Sequence, residues 1–401
     1  MSTEIRPIPA GGVGPLFQTG LPAPQLFRSF WMGGFECACH INEAGKRLDM
    51  IAGVQHDSLV EHDYALLRSA GMETARDGLR WHLIDRGGHY DFSSFAPMLA
   101  AAQRHGIQVL WDICHYGWPD DLDIFSAAFV DRFARFSAAV ARFVADHSGE
   151  VPFYSPINEI SFFSWAAARP GMFPYAQGRD NEIKDQLIRA SIAGAEAIRG
   201  VDKRARLIYP EPTVHVVAPR GRPDLTKLAA QHRAAQFDSW DMLAGRLRPE
   251  LGGHPKYLDI IGSNFYSTNE WEVTAKGIRW DADPPDERWL PYHKLLIEIY
   301  ERYRRPMFIA ETSHIGTGRA RWIREITQEI HLTRAAGIPL EGICLYPIVD
   351  RFDWSDAKHW HNSGLWDLAA DGQGRYIRVI NEEYARELRS SQLRLADINR
   401  R

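Results

Sequence analysis

Short apolar runs of the β type alternate with longer amphipathic segments along nearly the whole chain. Eight runs have the length and composition of strands, near 28–36, 73–81, 107–114, 151–158, 205–211, 257–264, 306–311 and 340–346. This alternation is typical of repeated βα units around a parallel sheet. Because closed α/β barrels commonly fold as one domain at a length of 401 residues, the pattern predicts a (β/α)8 TIM barrel over 26–401. Residues 1–25, rich in Pro and Gly, are expected to form an N-terminal extension.

Helical periodicity is clearest at 126–147. Its apolar residues recur at the spacing of one helix face and comprise Phe129, Phe133, Phe136, Val140, Phe143 and Val144. We expect this face to pack on the barrel. Gly71, Gly106 and Gly337 each follow a helical pattern and precede a strand, which predicts helix ends with positive φ.

Charge is nearly balanced, with 47 Lys and Arg against 51 Asp and Glu. Such a chain has no electrostatic footprint for nucleic acid or anionic lipid, so neither is expected as a partner. No apolar stretch approaches the roughly 20 residues that span a bilayer, and the first 20 residues lack a secretory signal pattern. We therefore expect a cytoplasmic protein without membrane contact. The cysteines lie in or beside apolar runs, which predicts buried, reduced thiols at Cys37, Cys39, Cys114 and Cys344.

Two glutamates, Glu159 and Glu311, each end a short apolar run that reads as a buried strand. Burying a carboxylate at the end of a parallel strand without water or a hydrogen-bond partner costs free energy, so we expect both glutamates where substrate or water contacts the sheet. Two such groups can divide the cleavage of an acetal, since one protonates the leaving oxygen while the other attacks the anomeric carbon. The pair therefore favours a retaining glycoside hydrolase.

Short motifs follow one another in order at the ends of the predicted strands. They lie at 30–33, 75–81, 115–122, 158–159, 264–266, 310–313 and 346–354. Asn158-Glu159 matches the Asn-Glu pair of glycoside hydrolase family 1, the β-glucosidase family, although Ile160 replaces the usual Pro. The other motifs resemble that family as well, from about 28 to 370. The resemblance implies a (β/α)8 glycosidase that cleaves a β-linked glycoside through a covalent intermediate, with a carbohydrate substrate and no cofactor or metal.

The resemblance also implies roles for individual residues. Glu311 would be the nucleophile and Glu159 the acid/base residue. Arg76 would favour the charged form of Glu311, and Tyr266 could donate to the same carboxylate. Asn158 would hydrogen-bond the sugar 2-hydroxyl. Further sugar contacts are expected from His40, His115, Tyr346, Asp353 and Trp354.

Four positions that match sugar contacts of the family carry other side chains. His40 replaces Gln, Tyr116 and Tyr346 replace Trp, and Asp353 replaces Glu. A site built for particular hydroxyls leaves polar groups unpaired when another sugar binds, so we expect the preferred glycone to differ from glucose. Xylosidase-, mannosidase- or arabinosidase-like activity, glycosyl transfer, and a sugar-binding barrel without catalysis are open alternatives, as are the oligomeric state and any role of Lys358.

Other features compete with this interpretation. Glu211 ends the fifth strand and is the main rival carboxylate, which we expect to brace a loop. Thiols and imidazoles at 37–40 and 114–115 could meet, but strand alternation would point Cys37 and Cys39 to one side and His40 to the other, and the Cys-x2-Cys spacing is absent, so no metal is predicted. The segments 160–180 and 347–378 are rich in Trp, Phe and His, on which sugars stack, and we expect them to form the walls of a cleft as loops.

Overall fold

Eight parallel strands close into a barrel in their sequence order. The computed structural model describes residues 26–169 and 172–398, so the extension expected for residues 1–25 lies outside the described residues. The strands are Trp31–Gly34, Thr74–Gly78, Gln108–Cys114, Phe153–Ile157, Arg206–Pro212, Ile260–Asn264, Met307–Thr312 and Leu340–Leu345, numbered one to eight below. Strand one pairs with strand eight, Trp31 opposite Ile343, which closes the sheet. Each predicted run overlaps one of these strands, and only the fifth and seventh strands extend one residue past it, so the barrel prediction is confirmed.

Helices surround the barrel in the described part of the chain. Their bounds are Met50–Gly53, His56–Ser69, Trp81–Ile84, Ala96–His105, Ala127–His147, Ile160–Ala168, Asp180–Val201, Thr226–Ala234, Asp238–Leu243, Tyr292–Tyr303, Arg319–Ala335 and Glu382–Ile398. The face of Ala127–His147 that carries Phe129, Phe133 and Phe136 is fully buried, as the periodicity predicts. Gly106 ends one helix with a φ of 63°, which only glycine adopts without strain. Gly71 and Gly337 also have positive φ.

Alternate residues of each strand point into the barrel or toward the helices. In strand seven, Phe308 and Ala310 belong to the small core inside the barrel, whereas Met307 and Ile309 belong to the large core between strands and helices. This is the two-residue period of a strand buried on both faces. Phe27 packs against Phe308 and fills the amino-terminal end of the barrel. A cluster of buried polar side chains around Arg76 lies toward the opposite, carboxyl end.

Two segments that were expected to be loops contain regular structure. The helix Ile160–Ala168 begins directly after Glu159 within 160–180, and it is apolar on nearly all sides, so no amphipathic stripe marks it in the sequence. The antiparallel strands Trp366–Ala370 and Tyr376–Ile380 form a hairpin in and just beyond 347–378. The loop assignment was wrong at both places.

A buried charged cluster lies outside strand two and ties the late hairpin to it. His56 is bonded through Nδ1 to Asp63 and through Nε2 to Asp77, both at 2.8 Å. Arg378 of the hairpin donates two hydrogen bonds to Asp63, at 2.7 and 2.8 Å. Although burial opposes it, the charge of Asp77 and hydrogen bonds to both carboxylates raise the pKa of His56 to about 9. The histidine is thus a buried cation between two anions at neutral pH.

The remaining sequence expectations concern the thiols and the membrane. All four cysteines are buried and free. None of the helices in the described part of the chain is both long and apolar enough to cross a bilayer.

Candidate active site

The two glutamates lie at the carboxyl ends of strands four and seven. Glu159 follows Phe153–Ile157, adopts a φ of 45° and begins the helix Ile160–Ala168, and its backbone N–H donates to Pro210. Glu311 lies within Met307–Thr312 and pairs with Asn264 of strand six. The register shifts between Ile309 and Glu311. Such an irregularity re-aims a side chain, and it brings Glu311 to the inside although Ala310, its neighbour, also faces inward.

Two donors hold the Glu311 carboxylate. Arg76 Nη1 lies 2.6 Å from Oε1, and the Tyr266 hydroxyl lies 2.7 Å from Oε2. The carboxylate and the arginine are both buried, so their attraction is only weakly screened. An opposite charge and donated hydrogen bonds both favour the ionised form of a carboxyl group.

Arg76 is fixed by further contacts at the inner face of strand two. Its Nη2 donates to Asp112 at 2.8 Å and to Asn158 at 2.6 Å, and its Nη1 also donates to the carbonyl of Ala310. Although burial opposes ionisation, the charge of Arg76 lowers the pKa of Asp112. The guanidinium therefore joins three side chains, Glu311, Asp112 and Asn158, into one rigid unit.

Glu159 has a different environment. Asn264 Nδ2 donates to its Oε1 at 2.9 Å, and the Tyr116 hydroxyl bonds its Oε2. Burial and then the negative charge of Glu311 raise the pKa of Glu159 to about 8. The two glutamates thus have different surroundings, since Glu311 is paired with Arg76 whereas burial and the charge of Glu311 favour the protonated form of Glu159.

His115 connects the arginine network with the neighbouring strand end. Its Nδ1 lies 3.1 Å from Asp112 Oδ2, and its Nε2 lies 3.2 Å from Asn158 Nδ2. With the Nδ1 proton directed at the carboxylate, Nε2 carries the lone pair and accepts from the amide. Cys37 Sγ also approaches Nδ1, at 3.2 Å.

Cys37, Asp112 and His115 are the one group of possible metal ligands found in the described residues. Their ligand atoms lie within 4.8 Å of one another. Arg76 donates to the Asp112 oxygen that also faces the thiol and the imidazole. A fixed positive charge on the shared carboxylate disfavours a second cation, so the contacts are accounted for as a hydrogen-bond network.

The wall near strands one and eight contains unsatisfied buried polar atoms. His40 is buried against the rings of Trp354 and Phe173, at centroid distances of 4.8 and 4.1 Å. Neither His40 Nδ1 nor Trp354 Nε1 has a hydrogen-bond partner among the described residues. Burial lowers the pKa of His40 to about 3, so its imidazole is neutral. Buried polar groups in proteins are usually hydrogen-bonded, so these two nitrogens are free to bind water or a ligand's polar atoms.

Tyr346 and Asp353 differ in their placement. The hydroxyl of Tyr346 lies 3.5 Å from Glu36, and its ring packs against Arg76, so it belongs to the same buried cluster. Asp353 accepts from the backbone of its own turn and from His361 Nε2 at 3.1 Å. Both Asp353 oxygens therefore accept hydrogen bonds within its own loop, as those of an aspartate in an Asx turn do. Lys358 is exposed in the same loop.

Three polar residues of the site were not assigned a role from the sequence. Glu36 is a further buried carboxylate, 3.3 Å from Arg351 Nε, and Asn264 donates to Glu159. Tyr116 was noted only as a departure from the family. The sequence signal for Glu36 and Asn264 is their position at a strand end. Glu211 accepts from the backbone N–H of Ser161, which places it as a brace behind Glu159, and burial raises its pKa to about 7.

Comparison with known proteins agrees with the architecture. No protein-family model matches the sequence, and no curated protein matches it. Among solved structures, the AHE enzyme from Alicyclobacillus herbarius superposes with a TM-score of 0.72 at 16% identity, covering 93% of this chain and 99% of that one. A β-glucosidase from Thermotoga maritima in complex with castanospermine gives 0.70 at 15%, covering 93% and 98%. A hyperthermophilic β-glucosidase mutant gives 0.69 at 14%, covering 92% and 100%. At the level of the fold, the resemblance to the β-glucosidases that the motifs indicate is confirmed.

Proposed function

We propose that this chain is a retaining glycosidase that hydrolyses β-linked glycosides through a covalent glycosyl-enzyme intermediate. The proposal rests on one observation, the contrast between two buried glutamates at the ends of strands four and seven. Glu311 is hydrogen-bonded to a buried arginine, whereas the pKa of Glu159 is raised to about 8. The β-glucosidases that share the barrel fold support the same class of reaction.

In the first step, Glu311 attacks the anomeric carbon while the glycosidic oxygen gains a proton and Glu159 loses one. Arg76 and Tyr266 keep the Glu311 carboxylate charged and oriented until its bond to the sugar forms. Because burial raises the pKa of Glu159, this group carries the proton that a general acid needs at neutral pH. The aglycone leaves as an alcohol.

In the second step, water attacks the anomeric carbon of the sugar ester on Glu311, and Glu159 takes up a proton. Esterification removes the negative charge of Glu311, one of the causes of the raised pKa. The pKa of Glu159 therefore falls, and the carboxylate becomes available as a base. Two successive displacements leave the anomeric configuration unchanged.

Substrate binding involves the polar atoms that face the pocket. Asn158 is assigned to the sugar 2-hydroxyl, where a hydrogen bond strengthens as the ring flattens. The unpartnered nitrogens of His40 and Trp354 support sugar contacts there. Contacts are proposed for His40, His115, Tyr346 and Trp354. Asp353 is proposed to act indirectly, by shaping the loop that carries Trp354.

We further propose that the catalytic unit is one domain over 26–401, that it needs no cofactor, and that it works in the cytoplasm. Free thiols at all four cysteines support a reducing compartment. Protein donors orient both glutamates, Asn264 and Tyr116 at Glu159 and Arg76 and Tyr266 at Glu311, which supports acid/base and nucleophilic catalysis by these two side chains.

The leaving-group dependence of two variants tests the proposal. Glu159→Gln should lower the rate on methyl glycosides by about 10²–10⁴-fold, because the general acid is removed, while sparing 2,4-dinitrophenyl glycosides in the first step. Glu311→Gln should abolish turnover of both. Azide added to alanine variants should give the β-glycosyl azide at position 159 and the α-glycosyl azide at position 311.

Glu270→Gln is a matched control. Glu270 is also buried, and burial raises its pKa to about 8, but it bonds the backbone of Leu290 outside the pocket. Its substitution should change neither leaving-group dependence nor product. Equal losses on all leaving groups for Glu159→Gln would remove the acid/base assignment.

A further inference from the structure

Tyr116 places a phenol against the proposed acid/base group. The residue adopts a φ of 69°, a strained conformation for a bulky side chain, and its side chain is fully buried. The ring is enclosed by His40, His115, Phe162, Phe163, Phe173 and Trp354. Its hydroxyl accepts from Asn158 Nδ2 at 3.0 Å and donates to Glu159 Oε2. The strained backbone thus places one hydroxyl between the proposed acid/base residue Glu159 and the amide of Asn158.

The contacts of Glu159 indicate which of its oxygens carries the proton. Asn264 Nδ2 points at Oε1 from 2.9 Å, and an amide N–H can only donate, so Oε1 is an acceptor. The titrating proton therefore lies on Oε2, the oxygen that faces Tyr116. With Glu159 ionised the phenol donates to Oε2. Protonation of Oε2 reverses this bond, so that Oε2–H donates to the phenol oxygen, which also accepts from Asn158. The phenol's own hydrogen is then directed at neither group and is available to a substrate oxygen.

We infer that Tyr116 is a further catalytic residue, which relays the proton between Glu159 and the glycosidic oxygen. This inference rests on the proposed function. In the first step, the phenol O–H bond breaks and its hydrogen bonds to the glycosidic oxygen, while Glu159 Oε2–H gives its proton to the phenol oxygen. The bond from the anomeric carbon to the leaving oxygen breaks with its electron pair on that oxygen, as Glu311 forms the new bond. Tyr116 ends unchanged, and Glu159 has lost one proton.

The second step runs the relay in reverse. The attacking water gives a proton to the phenol oxygen as the phenol gives its own proton to Glu159. Burial, and then the charge of Glu159, raise the pKa of Tyr116 well above its ordinary value. A free phenolate is therefore disfavoured, and the two transfers occur together, as in other general acid/base catalysis through a hydrogen-bonded chain.

Removing the phenol hydroxyl tests the relay. The probes are methyl and 2,4-dinitrophenyl β-glycosides of the best sugar among glucose, galactose, mannose, xylose and arabinose. Tyr116→Phe should lose about 10²–10⁴-fold in kcat/KM on the methyl glycoside and keep the dinitrophenyl rate, because only the poor leaving group needs a proton. Tyr116→Trp, which keeps a large ring and a donor but cannot accept and donate at once, should show the same pattern.

Tyr154→Phe is the matched control. Tyr154 is a fully buried tyrosine of strand four whose hydroxyl has no partner among the described residues. Its variant should leave both rates unchanged. The rate of the native enzyme on the methyl glycoside in mixtures of H₂O and D₂O should curve with deuterium content, since two protons move together, and Tyr116→Phe should remove the curvature.

Three results would overturn the relay. A gain in kcat/KM for Tyr116→Phe would show that the hydroxyl only obstructs the substrate, equal losses on both leaving groups would show a packing role, and a linear solvent isotope response of the native enzyme would show a single proton in flight. Failure of the proposed function can be told apart from failure of the relay. In that case Glu159→Gln would not show its leaving-group dependence and Glu311→Gln would not abolish turnover. If those two variants behave as proposed and Tyr116→Phe matches Tyr154→Phe, only the relay fails.

Discussion

The buried His56 should make the stability of the barrel fall with rising pH. Its pKa rises from an ordinary 6.5 to about 9 in the folded protein, because two carboxylates favour the charged ring despite burial. At 1.36 kcal/mol per pH unit, this difference corresponds to about 3 kcal/mol of unfolding free energy. A group whose folded pKa is raised contributes fully below its unfolded pKa, and the contribution is lost as pH rises through the folded value. The window is therefore pH 6.5 to about 9.

The perturbation that isolates this contribution is His56→Gln. Other buried groups titrate in the same window and destabilise the folded state in the same direction, since the pKa of Glu159 and of Glu270 is raised to about 8. The quantity to measure is thus the difference in unfolding free energy between native protein and variant, from urea denaturation at several pH values. This difference should be largest below pH 6.5 and should shrink by about 3 kcal/mol by about pH 10.

His62→Gln supplies the control for this experiment. His62 lies on the same helix, His56–Ser69, but its side chain is exposed. Its substitution should give a difference that does not change with pH. A constant difference for His56→Gln between pH 6 and 10 would refute the reasoning, because it would mean that the ring is not held as a cation by Asp63 and Asp77.

Three further outcomes are expected. The value of kcat/KM should decline as pH rises through about 8, because Glu159 must be protonated, and a pH–rate profile flat to pH 10 would contradict that requirement. Tyr266→Phe should lower kcat/KM by roughly tenfold to 100-fold, since a hydrogen bond to a charged group contributes about 1.5–3 kcal/mol, and steady-state kinetics with an unchanged unfolding midpoint would confirm it. Among aryl β-glucoside, β-galactoside, β-mannoside, β-xyloside and arabinoside, glucose should not be the best glycone, and the prediction fails if it has the highest kcat/KM.

The barrel can be predicted from the sequence because each of its strands and most of its helices are recognisable from a short stretch of residues. Each strand is an apolar run between turn signals, and the phenylalanine stripe of Ala127–His147 predicts that helix. The helix Ile160–Ala168 was missed since a segment that is apolar all round has no helical stripe to recognise. Such a helix is buried on most sides by residues that are distant in the sequence, and a local sequence pattern does not reveal those contacts.

The site is predictable in its residue types but not in its geometry. Glu159 and Glu311 stand out as strand-end carboxylates, yet the register shift that turns Glu311 inward and the positive φ of Glu159 leave no trace in residue spacing. Asp353 occupies a position that matches a sugar contact, but its oxygens are bound within its own turn. Contacts such as that of Tyr116 with Glu159 depend on how distant strand ends meet, and they required the structure.

The configuration of the first product tests the central claim most directly. Proton NMR spectra recorded within the first minutes of hydrolysis of an aryl β-glycoside distinguish the β-anomer from the α-anomer before mutarotation mixes them. The two-step route through Glu311 predicts that the β-anomer forms first. A first-formed α-anomer would contradict the covalent mechanism, because a single displacement by water inverts the anomeric carbon.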